Sequence, residues 1–123
     1  MHKNQRAVTN DAIRYLLRNP VRDKSVEYND NRLSAFVGQY GRCFVTGESL
    51  KGWQVHCHHK VPLYLGGNDT YSNLVIVSND VHKLIHATMP VTIAKCQEII
   101  SLKRPMIVKI NTLREKLQLS KIL

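Results

Sequence analysis

Between residues 9 and 18 the apolar positions Ile13, Leu16 and Leu17 recur at three- and four-residue offsets behind Thr9, Asn10 and Asp11. Each of those three is a favoured N-cap type, so the spacing predicts a short amphipathic helix. Pro20 should stop it near Arg18, because the residue before a proline avoids the helical region. Residues 20–29 are polar and read as a connector. A second helix is expected from about Asp30, where Leu33, Phe36, Val37 and Tyr40 form an i, i+3, i+4, i+7 stripe. Gly41 stands where a left-handed cap belongs.

The pattern then shortens. Two apolar runs, 43–45 and 53–57, flank Gly47 and Gly52 and predict a hairpin with a longer loop. "KVPLYLGGNDTYSN" has the proline, double glycine and Asn-Asp content of a loop, and "LVIV" at 74–77 reads as a short strand. Ser78 offers an N-cap for a helix through "NDVHKLIHA", with Asp80 in its first turn to complement the macrodipole. Pro90 ends that helix or opens the next. Two more helices are expected at about 91–101 and 105–118, the latter from Ile107, Ile110, Leu113 and Leu117, with Pro105 in its first turn. These elements predict one α+β domain in three stretches: an N-terminal helix and connector (1–29), a core (30–89) and C-terminal helices packing on it (90–123).

Composition narrows the class. A chain of 123 residues with 43% hydrophobic content suits a single small core rather than disorder. No apolar run approaches the roughly 18 residues that a membrane span needs, and no membrane partner is expected. The opening "MHKNQRAVTNDAIRYLL" lacks the apolar centre of a signal peptide, which predicts a cytoplasmic protein. Eighteen lysines and arginines against 9 acidic residues give a formal charge of +9. Such an excess favours encounter with polyanions, nucleic acid first among them. Three cysteines (Cys43, Cys57, Cys96) and no CxxC pair argue against a disulfide framework.

The candidate chemistry lies in four histidines. His58 and His59 are consecutive at the end of the run 53–57, and neighbours on a strand point to opposite faces, so they are suited to different jobs. His82 and His86 lie four apart on an expected helix and therefore share one face, about 5–6 Å apart at Cβ. That spacing suits two imidazoles on one divalent ion, although i, i+4 histidine pairs also arise on ordinary helices.

"CHHKVPLYLGGNDTYSNLVIVSNDVHKLIH" resembles the HNH nuclease motif of the ββα-metal fold. "HHKVP" carries the first element, Asn73 the second and "HKLIH" the third. Both His82 and His86 are present, as in the nuclease-colicin branch. The flanking "EYNDNRLSAFVGQYGRCFVTGE" and "VHKLIHAT" are similar to the C-terminal endonuclease region of bacterial group II intron reverse transcriptase/maturases, over most of the chain. The resemblance implies a ββα-metal core of hairpin, long loop and metal-binding helix. It implies His59 as general base, since it precedes Pro62 by three, and His58, His82 and His86 as ligands of one divalent metal. Asn73 would tie the loop that aims His59. Related domains hold a structural zinc on two CxxC pairs; here positions 46, 78 and 81 are Thr46, Ser78 and Val81, so no structural zinc is expected. Cys57 and Cys96 are expected as buried apolar residues.

The activity implied by the resemblance is that of a metal-dependent DNA endonuclease, hydrolysing phosphodiesters and cutting the second target strand in intron mobility. Intron RNA would be a further partner through a larger ribonucleoprotein. A histidine of ordinary pKa can take a water's proton near neutral pH. The resemblance implies Mg²⁺ or Mn²⁺ in turnover, while nitrogen ligands favour Zn²⁺ or Ni²⁺ in purified protein. Lys60 and Lys83 are candidate phosphate contacts. Two alternatives remain open at this point: a non-catalytic DNA-binding remnant of the fold, and a stand-alone homing, restriction or toxin nuclease.

Overall fold

A computed structural model describes residues 9–122; residues 1–8, part of the expected N-terminal stretch, and residue 123 lie outside the described residues. The elements in order are helix α1 (Asn10–Arg18), helix α2 (Val26–Gly38), strand β1 (Val55–His59), strand β2 (Leu74–Ser78), helix α3 (Asn79–His86), helix α4 (Pro90–Ile99) and helix α5 (Arg104–Lys116). Single 3-10 turns precede β1 and punctuate the loop between the strands. The fold is α+β.

Thr9 caps α1 by accepting the Ala12 N–H at 3.1 Å. The helix buries Ala12 and Leu16 but leaves Leu17 63% exposed, so its inner face is rotated from the expected Ile13–Leu16–Leu17 stripe. α2 corrects the expectation more strongly. It starts at Val26, inside the stretch read as connector, because Ser25 accepts the Tyr28 N–H at 2.9 Å and serves as N-cap. The boundary drawn between residues 29 and 30 therefore falls within a helix. The buried face of α2 is Tyr28, Arg32, Ala35 and Phe36, whereas Val37 and Tyr40 are exposed. The helix ends in bonds from the Gly41 N–H to the Phe36 carbonyl and from the Tyr40 N–H to that of Val37, both 2.9 Å. Tyr40 (φ 57°) and Gly41 (φ 69°) both take left-handed backbone in this closing motif.

The hairpin is not the one expected. Residues 43–45 form no strand: the Cys43 N–H bonds the Glu48 carbonyl and the Gly47 N–H returns to the Cys43 carbonyl, both at 2.9 Å. With both Cys43 backbone groups bonded inside this turn, the segment touches the sheet through the Phe44 N–H to the Ile76 carbonyl, at 2.9 Å. β1 pairs instead with β2, antiparallel, from Val55 opposite Ser78 to His59 opposite Leu74. The long loop 60–73 thus lies within the hairpin. Leu74–Val77 are all buried, with α2 and α3 packed on β2. That accounts for an unbroken apolar run where an alternating one would mark a half-exposed strand.

Ser78 caps α3 by accepting the Val81 N–H at 3.2 Å. Val81, Leu84 and Ile85 face the core. The carboxyl end of α3 is closed from α5: buried Arg114 donates through Nη1 to the carbonyls of Ala87 (2.7 Å) and Leu84 (2.9 Å), and through Nε to that of Ser120 (2.7 Å). A cation at a helix carboxyl terminus also meets the favourable end of its dipole. Pro90 opens α4. One contiguous core joins every segment, with Leu16, Phe36, Ile76, Leu84 and Ile110 among its members. Cys43, Cys57 and Cys96 are buried free thiols. Among the described residues no helix is long and apolar enough to cross a membrane.

Candidate metal centre

β1 lies against α3, and alternation along the strand puts His56 and His58 on a common face. His58, His82 and His86 each offer a ring nitrogen, and these atoms all lie within 4.8 Å of one another. The rings meet edge to face: His58 with His82 at 5.5 Å and 65°, His58 with His86 at 5.2 Å and 72°, His82 with His86 at 4.4 Å and 61°. An imidazole lone pair lies in its ring plane, so crossed planes let three of them converge where parallel planes would not. The Nε2 atom of His58 is buried with no hydrogen-bond partner. A buried polar atom left unpaired costs about 1–3 kcal/mol. A divalent ion would satisfy it, and the set fits a centre with three protein nitrogens and an open position.

Electrostatics keep these rings neutral. Burial, then the neighbouring His86 and His56, push His58 down to about 3. Burial, then His56, His86 and His58, bring His82 down to about 3 as well. His86 is lowered by burial and then by the Arg114 guanidinium. Neutral imidazole is the form that binds metal.

His59 occupies a different setting. Its Nε2 lies 2.7 Å from Asp69 Oδ1, and its ring stacks on Tyr28 at 5.2 Å and 24°. Asp69 is itself held: its Oδ2 accepts the Ser25 hydroxyl at 2.6 Å and its carbonyl accepts Asn31 Nδ2 at 2.9 Å. The His59 and Ser25 bonds hold the Asp69 carboxyl below the usual carboxylate range. The hydroxyl that caps α2 therefore also anchors the acid that orients His59. Although His58 and His59 point to opposite sides of β1, both border one open cleft of about 410 Å³ between α2, β1 and α3.

Asn73 stands outside that cleft and closes the loop beside it. Its Oδ1 accepts the Val61 N–H at 3.0 Å, while Nδ2 donates to the carbonyls of Val61 (2.9 Å) and Asn68 (2.7 Å). Gly67 lies so close to Val61 that an added Cβ would sit 1.7 Å from its carbonyl oxygen. Only glycine fits there. Neither Lys60 nor Lys83 lines the cleft; the lysine that does is Lys24, whose Nζ sits 5.7 Å above the Tyr28 ring.

Three site residues escape a reading of the sequence alone. His56 stacks on His82 at 3.5 Å and 24°, and burial, then His86, lower it to about 4; its place two residues before His58 on a strand is a usable signal. Asp69 carries none, since its loop position says nothing of its partner. Arg32, buried and lining the cleft, sits one helical turn from both Tyr28 and Phe36, a register that marks the inner face. Compared with family models, curated proteins and solved structures, the chain matches none.

Proposed function

We propose that the chain is a metal-dependent endonuclease of the HNH type, with a ββα-metal core formed by β1, β2 and α3. The observation that carries the reading is one cleft bordered by two unlike histidine settings. Three neutral imidazoles converge there with an unpaired buried Nε2 on His58, and His59 is fixed apart from them by Asp69.

The chemistry divides accordingly. A neutral His59 that donates its Nε2–H to the Asp69 carboxylate leaves Nδ1 bare as a proton acceptor. The attacking water gives its proton to Nδ1 as the new P–O bond forms; the P–O3′ bond breaks and the leaving oxygen takes up a proton from solvent. Asp69 stabilises the imidazolium that results, as a carboxylate does in other His–acid pairs. A divalent ion on His58, His82 and His86 would supply the Lewis acid that relieves charge on the phosphoryl oxygens. The all-nitrogen set favours Zn²⁺ or Ni²⁺ in purified protein over Mg²⁺; Mg²⁺ or Mn²⁺ is the proposed ion in turnover.

Double-stranded DNA is the proposed substrate, supported by the net charge of +9. The flanking sequence words support second-strand cleavage in group II intron mobility, with intron RNA reached through a larger ribonucleoprotein. The test is nicking of supercoiled plasmid with Mn²⁺ by wild type and by His59→Ala. Nicking by wild type that falls at least 100-fold in the variant is expected, since positioned bases contribute about 10²–10⁴-fold. Equal nicking by both, or none by either, removes the catalytic reading.

A further inference from the structure

We propose that Arg32 is the anion-binding residue of the cleft and that its ligand is a non-bridging oxygen of a phosphodiester. This inference rests on the endonuclease reading for the identity of the anion, though not for the presence of an anion site.

Arg32 is 7% exposed, yet it lines the cleft alongside His56, His58 and His59. Among the described residues its hydrogen bonding to the protein is the bond from Nη1 to the Asn19 carbonyl, at 3.1 Å. No carboxylate of a described residue forms an ion pair with it. A guanidinium carries five N–H donors in a rigid fork, so most of its capacity is left for a ligand in the cleft. Buried charges are ordinarily paired, because an isolated one forfeits its hydration.

The surroundings supply no counter-charge. Among the described residues the cleft lining holds no carboxylate, and Lys24 adds a second cation. Asp69, the acid next to the cleft, is committed to His59 and Ser25. The cleft is thus cationic before any metal binds, and a divalent ion on the three histidines would make it more so. An anion between the two would satisfy both. The planar fork matches phosphate oxygens two at a time, which a lysine cannot do. From the same cleft as the metal ligands and the base, Arg32 would hold the scissile phosphate in register and oppose the charge that builds on it during attack.

The first experiment uses wild-type protein and requires no variant. Metal-free protein labelled with ¹⁵N is titrated with inorganic phosphate, and the Arg32 Nε–H resonance is followed. A saturable shift at Arg32 that exceeds those of the surface arginines is expected; a linear response shared by all arginines overturns the proposal. The second compares Arg32→Met and Arg32→Lys with wild type for binding of a short DNA duplex in EDTA, which prevents cleavage. Arg32→Met should weaken duplex binding by roughly 10–100-fold, as loss of a charged hydrogen bond does, with Arg32→Lys between. Zn²⁺ affinity should stay unchanged in both. Unaltered duplex binding by folded Arg32→Met overturns the proposal, and so does loss of phosphate binding alone, which would assign the site to free phosphate. Neither arm reads cleavage, so an inactive wild type would count against the endonuclease and leave this result standing.

Discussion

Replacing His58 with leucine separates a ligand from an ordinary core histidine. The residue is 2% exposed and its Nε2 lacks a partner. Leucine has similar bulk and no polar atom. Removing an unsatisfied buried group should recover about 1–3 kcal/mol, against a packing mismatch of about 1 kcal/mol. In EDTA at pH 7.5 His58→Leu is therefore expected to match wild type or exceed it slightly, whereas loss of a hydrogen-bonded histidine would destabilise.

Acid adds a second signature. The unfolded chain protonates His58 near its ordinary 6.5, while burial and the adjacent histidines hold the folded residue near 3. Its contribution to stability is thus fully present above pH 6.5 and lost as pH falls towards 3. Each pH unit inside that window costs up to about 1.4 kcal/mol, or about 2 kcal/mol by pH 5. Leucine does not titrate, so the variant's stability should fall less steeply by that amount. Metal gives the third. With Ni²⁺ at about 1,000 times its Kd, wild type should gain about 4 kcal/mol and the variant little. Urea unfolding followed by circular dichroism measures all three. A variant less stable by 2 kcal/mol or more in EDTA, or one that keeps the Ni²⁺ gain, refutes the reasoning.

Three further outcomes are expected. Arg114→Met removes the charged donor from the carbonyls of Leu84 and Ala87 at the end of α3 and should cost about 3 kcal/mol in urea unfolding; a loss under 1 kcal/mol would mean that α3 closes without it. Asp69→Asn should lower plasmid nicking by about 10–100-fold, as loss of an orienting partner does, with Ni²⁺ affinity measured by calorimetry unaltered; equal activity would show that the 2.7 Å bond to His59 does not aim the base. Gly67→Ala meets the Val61 carbonyl and should open loop 60–73, seen as faster proteolysis within that loop; unchanged proteolysis would place the strain elsewhere.

Much of this molecule is legible in order along the chain. Caps at Thr9 and Ser78, the stop after Arg18, the strand at 74–77 and the helix that carries His82 and His86 follow from local rules, because capping and i, i+4 spacing act within a few residues. The start of α2 is hidden because Ser25 lies among polar residues with no stripe yet in view; of the expected stripe Phe36 is buried, while packing turns the inner face towards Tyr28 and Arg32 and leaves Val37 and Tyr40 exposed.

By itself the sequence determined the cast of the candidate site: four histidines whose spacings put His82 and His86 on one helix face and His58 and His59 on opposite strand faces, and a basic balance suited to polyanions. Tertiary structure decided who meets whom. It closed 43–45 into a turn through both Cys43 backbone groups and gave β1 to β2, which brought His58 against His82 and His86. It also delivered Asp69, ten residues on from His59, to that ring's Nε2, and buried Arg32 beside the same cleft. Periodicity says which residues share a face. The partner of that face is settled by competition for backbone bonds and buried area across the whole chain, which no local pattern records.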